Sequence, residues 1–229
     1  MIKLPKKFII FAHPRCGSST LFNIIKWQAN TGVNEPFNQA TQDENNYLKD
    51  LNEKGIKFTT KKIFYNIQFF KHLSISIKPE ENKYLLDNYK IIFMYRKNIL
   101  DAAISKVVAE QTNIWHSIDV NYESDYLKIK YVEPKLIDFE IQEIKKHMNY
   151  AKMSENVMFV AYEDIFENKY NFFKIEKIFN FLDLHLFNYK SIQLFLSEKN
   201  KLNKKKWEDV LENYSDIKNQ FQYSVSPIQ

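Results

Sequence analysis

FIIFAHPRCGSSTLFNII, residues 8–25, decides the fold. Phe8 to Ala12 is a short apolar run of branched and aromatic side chains, the pattern of a strand buried on both faces. From Ser19 to Asn30 apolar residues recur at helical spacing. Between the two lies room for a tight turn and nothing more. The first amides of a helix lack intrahelical acceptors, and the helix dipole places partial positive charge beside them, so such a turn suits a phosphate. Ser18, Ser19 and Thr20 add hydroxyl donors, and Arg15 adds a guanidinium fork. The chain has only three glycines, Gly17, Gly32 and Gly55. Setting one of them straight after the first strand marks a backbone conformation that other residues reach poorly.

Three better-known anion turns do not fit. The nucleoside-triphosphatase loop GxxxxGK[ST] requires an earlier glycine and a lysine after the second; Ser18 follows Gly17 here. The dinucleotide pattern GxGxxG is absent. A phosphatase loop built on Cys16 would need arginine where Phe22 stands.

Working outward, Lys90 to Tyr95 and Val157 to Ala161 read as two more buried strands, and Ile56 to Tyr65 as a weaker one. Helical patterns cover Ile99 to Gln111, Lys135 to Lys152 after Pro134, Tyr170 to Leu182 and Lys206 to Phe221. Strands alternating with helices imply an α/β fold: a parallel sheet flanked by helices, with a P-loop-like nucleotide-binding architecture. No linker or repeat divides the chain, so residues 1–229 read as a single domain. Asn113 to Tyr131 fits no element and is expected to be a substrate lid. Residues 199–229 read as a basic turn followed by a helix. The segment Asn66 to Asn88 is expected to help shape an acceptor pocket.

The chain has 229 residues, of which 45% are hydrophobic, enough to build a core. Its apolar runs are far shorter than the roughly 20 residues of a membrane span. The formal net charge of +5 favours anionic partners. An AT-rich genome, which favours lysine, would produce the same tilt. Cys16 is the single cysteine, which excludes an intrachain disulfide and suits a reducing cytoplasm. The five histidines show no ligand spacing, and no metal is expected.

The run Pro14-Arg15-Cys16-Gly17-Ser18-Ser19-Thr20-Leu21 resembles the PK(S/T)GTT(W/L) turn of sulfotransferases, most closely the PRxGSTLL form of bacterial enzymes acting on carbohydrates. In that family the turn binds the 5′-phosphosulfate of 3′-phosphoadenosine 5′-phosphosulfate (PAPS), which nominates Arg15, Cys16, Gly17, Ser18, Ser19 and Thr20. The stretch IIFMYRKNILDAAIS resembles the family's 3′-phosphate element, an arginine after a strand and a serine one helical stretch later. Arg96 and Ser105 take those places; a spacing one residue shorter, common in the family, would select Lys97. Glu35-Pro36-Phe37-Asn38, Val160-Ala161-Tyr162-Glu163-Asp164 and the tail from Lys201 to Tyr214 also look like the bacterial branch. The resemblance spans about residues 7–220.

It implies transfer of a sulfuryl group from PAPS to a hydroxyl acceptor, a carbohydrate or a small molecule. Such transfer needs an in-line acceptor, a base for its proton and positive charge at the leaving phosphate. Glu35, which matches the glutamate of the bacterial EPFN element, is the nominated base, and His116 competes with it. Lys62, or its neighbour Lys61, is the nominated acid, from likeness to the family's FKxxY stretch. Arg15 neutralises the leaving phosphate. Lys201, Lys204, Lys205 and Lys206, in a basic turn that lacks the family's glycines, are expected to close over the 3′-phosphate. Glu163 and Asp164 are expected to cap the following helix and hold Arg15 or Arg96. Two rivals stand beside this reading. One is a P-loop phosphotransferase, which the missing lysine after Gly17 disfavours. The other is a non-catalytic binder of anionic glycans or nucleic acid, which leaves the turn unexplained; no nucleic-acid partner is expected.

Overall fold

Phe8–Ala12 forms the central strand, β1, and every one of its side chains is buried. Successive side chains of a strand point to opposite faces, so burial of all five means that both faces are covered. This is a computed structural model, and it describes residues 7–29, 32–34, 69–73, 86–87, 89–115, 129–167, 171–185, 190, 192–193, 196 and 206–221. Two compact units divide the chain: Met1–Tyr95 with His147–Phe195, and Arg96–Lys146 with Leu196–Gln229.

The first unit carries a five-stranded sheet in the order β2-β3-β1-β4-β5, parallel throughout. The other strands are β2 (Val33–Asn34), β3 (Phe69–Leu73), β4 (Lys90–Tyr95) and β5 (Val157–Ala161). β1, β4 and β5 occupy the positions that the apolar runs predict. β2 and β3 do not: β3 lies within the segment expected to help shape the acceptor pocket and forms an internal strand between β2 and β1. The expected strand at 56–65 lies outside the described residues. Register aligns Phe11, Phe93 and Phe159 in one row across β1, β4 and β5. Their rings meet at 5.9 and 5.4 Å, so aromatic packing reinforces the ladder.

Helix α1 (Ser18–Ala29) packs on β1 and β3, burying Leu21, Phe22, Ile24 and Ile25 and leaving Asn23 and Lys26 exposed. After β5 the chain turns directly into a short helix, α4 (Tyr162–Phe166), which the sequence did not disclose. It is followed by α5 (Asn171–Phe181). Lys90, the first residue of β4, donates to the Phe181 carbonyl at 2.7 Å and to Asp183 at 2.8 Å. A cation thus sits at the carbonyl end of α5, where the helix dipole favours it.

The second unit is built on α2 (Ile99–Thr112) and most of α3 (Pro134–Lys152), which ends in the first unit. Asn98 caps α2, its Oδ1 accepting from the Asp101 amide at 3.1 Å. Nearly every residue of α2 from Ile99 to Ala109 is buried, the mark of a helix enclosed on all sides. α3 begins at Pro134, whose fixed φ suits a first helical turn. Lys106 of α2 is locked to Glu140 of α3 at 2.6 Å and to Glu110 at 2.7 Å.

The expected helix from Lys206 to Phe221 is divided. Trp207–Asp209 forms a 3-10 turn, and α6 runs only from Tyr214 to Phe221. Tertiary bonds cause the break. The Asn213 side chain donates to the Val132 carbonyl at 2.8 Å and accepts from the Val132 amide at 3.3 Å. The Glu212 amide donates to the Lys130 carbonyl at 2.8 Å. A backbone committed to that segment cannot also continue a helix.

Candidate functional site

Between Ala12 and Ser18 the chain must reverse from strand to helix, and two residues take left-handed conformations to do it. Arg15 has φ 68° and Gly17 has φ 77°, while Cys16 between them does not. Alternation of hand along consecutive residues turns successive amides toward one concavity, the arrangement known as an anion nest. The Gly17 carbonyl accepts from the amides of Thr20 and Leu21 at 3.2 and 3.3 Å, which closes the first turn of α1. The amides of Ser18 and Ser19 have no intrahelical acceptor and lie at the positive end of the helix. Ser18 and Cys16 are buried; Arg15, Ser19 and Thr20 are half-buried. All six nominated turn residues therefore belong to one strand-turn-helix unit, the P-loop-like element that the sequence implies.

Gly17 lies beneath two aromatic rings. A Cβ on it would stand 2.7 Å from Phe166 Cε2 and 2.8 Å from Tyr162 Cδ2. These rings are 4.7 Å apart, one turn along α4. Glycine is thus required twice, by the sign of φ and by the space.

The structure adds a residue that the sequence reading passed over. Lys71 lies in the middle of β3, opposite Ile10 of β1, and is 2% exposed. Its Nζ donates to Ser19 Oγ at 2.7 Å. A buried ammonium thus borders the same turn that presents the helix amides and Arg15. The available signal was a lysine set between Phe70 and His72 in FFKHL, a short run with three large apolar residues, since a lysine is rarely enclosed without a reason.

In the second unit, Arg96 follows β4 directly and is half-buried, whereas Lys97 is exposed. Ser105 is buried in α2 beside Lys106 of the ion-pair cluster. Burial lowers the Lys106 pKa, but hydrogen bonds and charge from Glu110 and Glu140 outweigh it, leaving a net rise. Near the N-terminus of α6, burial and the charges of Asp101 and Glu208 raise the Tyr214 phenol, keeping it protonated.

Glu163 and Asp164 do not cap α4; Ala161 holds that position and has no capping side chain. Both lie in the first turn of α4, where their charge still favours the helix end, and Asp164 faces Lys174 at 3.5 Å. Glu35, Lys61, Lys62, His116, Lys201, Lys204 and Lys205 lie outside the described residues, as does most of the expected lid. Among the described residues no cluster of three or more histidine, cysteine or acidic side chains could hold a metal ion. Nor is any described helix long and apolar enough to cross a membrane.

The family model for the sulfotransferase domain matches residues 5–226. A search of the curated proteins finds no match. Among solved structures, the fold is similar to mouse sulfotransferase SULT7A1 complexed with PAP, with a TM-score of 0.49 and 16% identity. That match covers 90% of this chain and 70% of the other. Shikimate kinase from Bacteroides thetaiotaomicron is also similar, with a TM-score of 0.46 and 11% identity, over 79% of this chain and 100% of the other.

Proposed function

Because the chain belongs to the sulfotransferase family, we propose that it transfers a sulfuryl group from PAPS to a hydroxyl acceptor as a single domain over residues 1–229. The observation that carries this reading is the turn itself. Positive φ at Arg15 and Gly17, the open end of α1 and the buried Lys71 ammonium on Ser19 all belong to one turn, and together they suit an anion. A phosphosulfate fits that donor set, because its oxygens accept from amides, hydroxyls and cations alike.

In this proposal Arg15 and the amides of residues 16–20 hold the 5′-phosphosulfate. Lys71, already at the turn, joins Arg15 in stabilising charge that develops on the leaving phosphate, and Lys62 or its neighbour Lys61 serves as the acid. Arg96 with Ser105 holds the 3′-phosphate; the half-burial of Arg96 supports it over Lys97. Lys204 and Lys205 close over the same phosphate. Glu35 removes the acceptor's proton, with His116 as the competing base; β2 ends at Asn34, one residue before Glu35. The acceptor is a hydroxyl of a carbohydrate or small molecule, in keeping with the likeness of the turn to the bacterial carbohydrate branch. A sulfuryl group carries less charge than a phosphoryl group, so the reaction does not demand a metal clamp. A reducing cytoplasm suits a chain whose single cysteine, Cys16, is buried.

Calorimetric titration with adenosine 3′,5′-bisphosphate and, separately, with ATP and magnesium tests the reading. The bisphosphate is expected to bind at least tenfold more tightly, a difference of about 1.4 kcal/mol. Equal affinity for the two would move the chain to phosphotransfer; no binding of the bisphosphate would end the proposal.

A further inference from the structure

Arg15 holds a backbone conformation that costs a residue with a Cβ, and something adjacent must favour it. We infer that His13 is the positioning residue of the turn, fixing the Pro14–Arg15 peptide in the orientation that anion binding needs. The inference rests on reading the turn as the phosphosulfate site.

His13 directly follows β1 and is 1% exposed. Its Nδ1 lies 3.2 Å from the Pro14 carbonyl oxygen. The carbonyl has no proton to give, so the histidine nitrogen donates. Cys16 Sγ approaches the same oxygen at 3.8 Å. Behind His13 stands His147 of α3, also buried, with ring centroids 5.8 Å apart and planes inclined by 34°. The imidazole is thus enclosed on a helix and directed at one carbonyl.

That carbonyl matters because of peptide geometry. No cis peptide occurs among the described residues, so the Arg15 N–H points opposite to the Pro14 C=O across a planar bond. Holding the carbonyl toward His13 aims the amide the other way. Rotation of this peptide would change φ of Arg15 and present an oxygen lone pair where a donor is needed. Arg15 at positive φ is the orientation the histidine bond favours, and the strain is tolerated because the bond offsets it.

The test compares His13→Asn with His13→Leu. The asparagine amide nitrogen can stand where Nδ1 stands and donate to the same carbonyl, whereas leucine fills space and donates nothing. The readouts are adenosine 3′,5′-bisphosphate affinity by calorimetry and melting temperature without ligand. We expect His13→Asn to bind within about threefold of wild type and His13→Leu to bind about tenfold more weakly, the worth of one hydrogen bond. The unliganded melting temperature should not follow that order. If both variants bind alike, or leucine binds better, the inference is overturned. Wild-type protein that binds no bisphosphate would instead remove the site reading and the inference with it. Nitrogen-15 NMR of the histidines decides the matter even if His13→Leu does not fold. A His13 Nδ1 that bears a proton and shifts on bisphosphate addition supports the role, and an Nδ1 without a proton overturns it.

Discussion

At Arg15 and Gly17 the same sign of φ is reached on different terms. Gly17 adopts it without steric cost and also leaves room for Tyr162 and Phe166, whereas Arg15 pays about 1–2 kcal/mol for it. Gly17→Ala would meet both penalties at once, a left-handed alanine and a Cβ under two rings. Denaturant unfolding should register a loss of about 2–4 kcal/mol, adding strain to overpacking. A cost below about 0.5 kcal/mol would mean that the rings give way and that φ is relieved. The glycine was legible in the sequence, because its scarcity elsewhere made its placement conspicuous. Lys71 was not. Nothing in FFKHL tells which way a lysine points; only the pairing of β3 with β1 brings its amine to Ser19.

Elements were legible in proportion to how locally they are determined. β1, β4 and β5 are continuous apolar runs, and their burial leaves one reading. β2 has two residues and β3 carries a lysine and a histidine, so neither has a signal that survives outside the sheet. The tail was misread because good helical periodicity over 206–221 lost to the bonds that Asn213 and Glu212 make with residues 130–132. The join of α2 to α3 is the element-scale feature most open to test. Lys106→Met would leave the Glu140 carboxylate buried without its ammonium partner, at an expected cost of about 3–5 kcal/mol, while adding Glu140→Leu should recover most of that. The sign with pH follows from the raised Lys106 pKa. Stability from this pair is present in full below the ordinary value of 10.5 and lost as pH rises through the higher folded value. Urea unfolding at neutral pH and again well above 10.5 measures both; a single variant costing under about 1 kcal/mol would place the pair with exposed ones.

For the molecule as a whole, a ligand that binds only the folded chain must raise its melting temperature. Adenosine 3′,5′-bisphosphate at 100 times its dissociation constant should add about 2.7 kcal/mol, or about 5–10 °C for a chain of this size. Arg96→Ala should reduce that rise but leave stabilisation by adenosine 5′-phosphosulfate, which lacks the 3′-phosphate, unchanged within a few tenths of a kcal/mol. If both ligands lose equally, Arg96 does not read the 3′-phosphate. The sequence alone determined the fold class, three of the five strands and the strand-turn-helix unit, because apolar continuity, glycine placement and helix-end chemistry act over a few residues. It also carried the family, through motifs in the right order. The tertiary structure alone decided which strands flank β1, where the last helix breaks, and that the Lys71 and His13 side chains reach the turn. Those outcomes depend on hydrogen bonds and burial between residues far apart in the chain, and a side chain's direction across a sheet is not written in its neighbours.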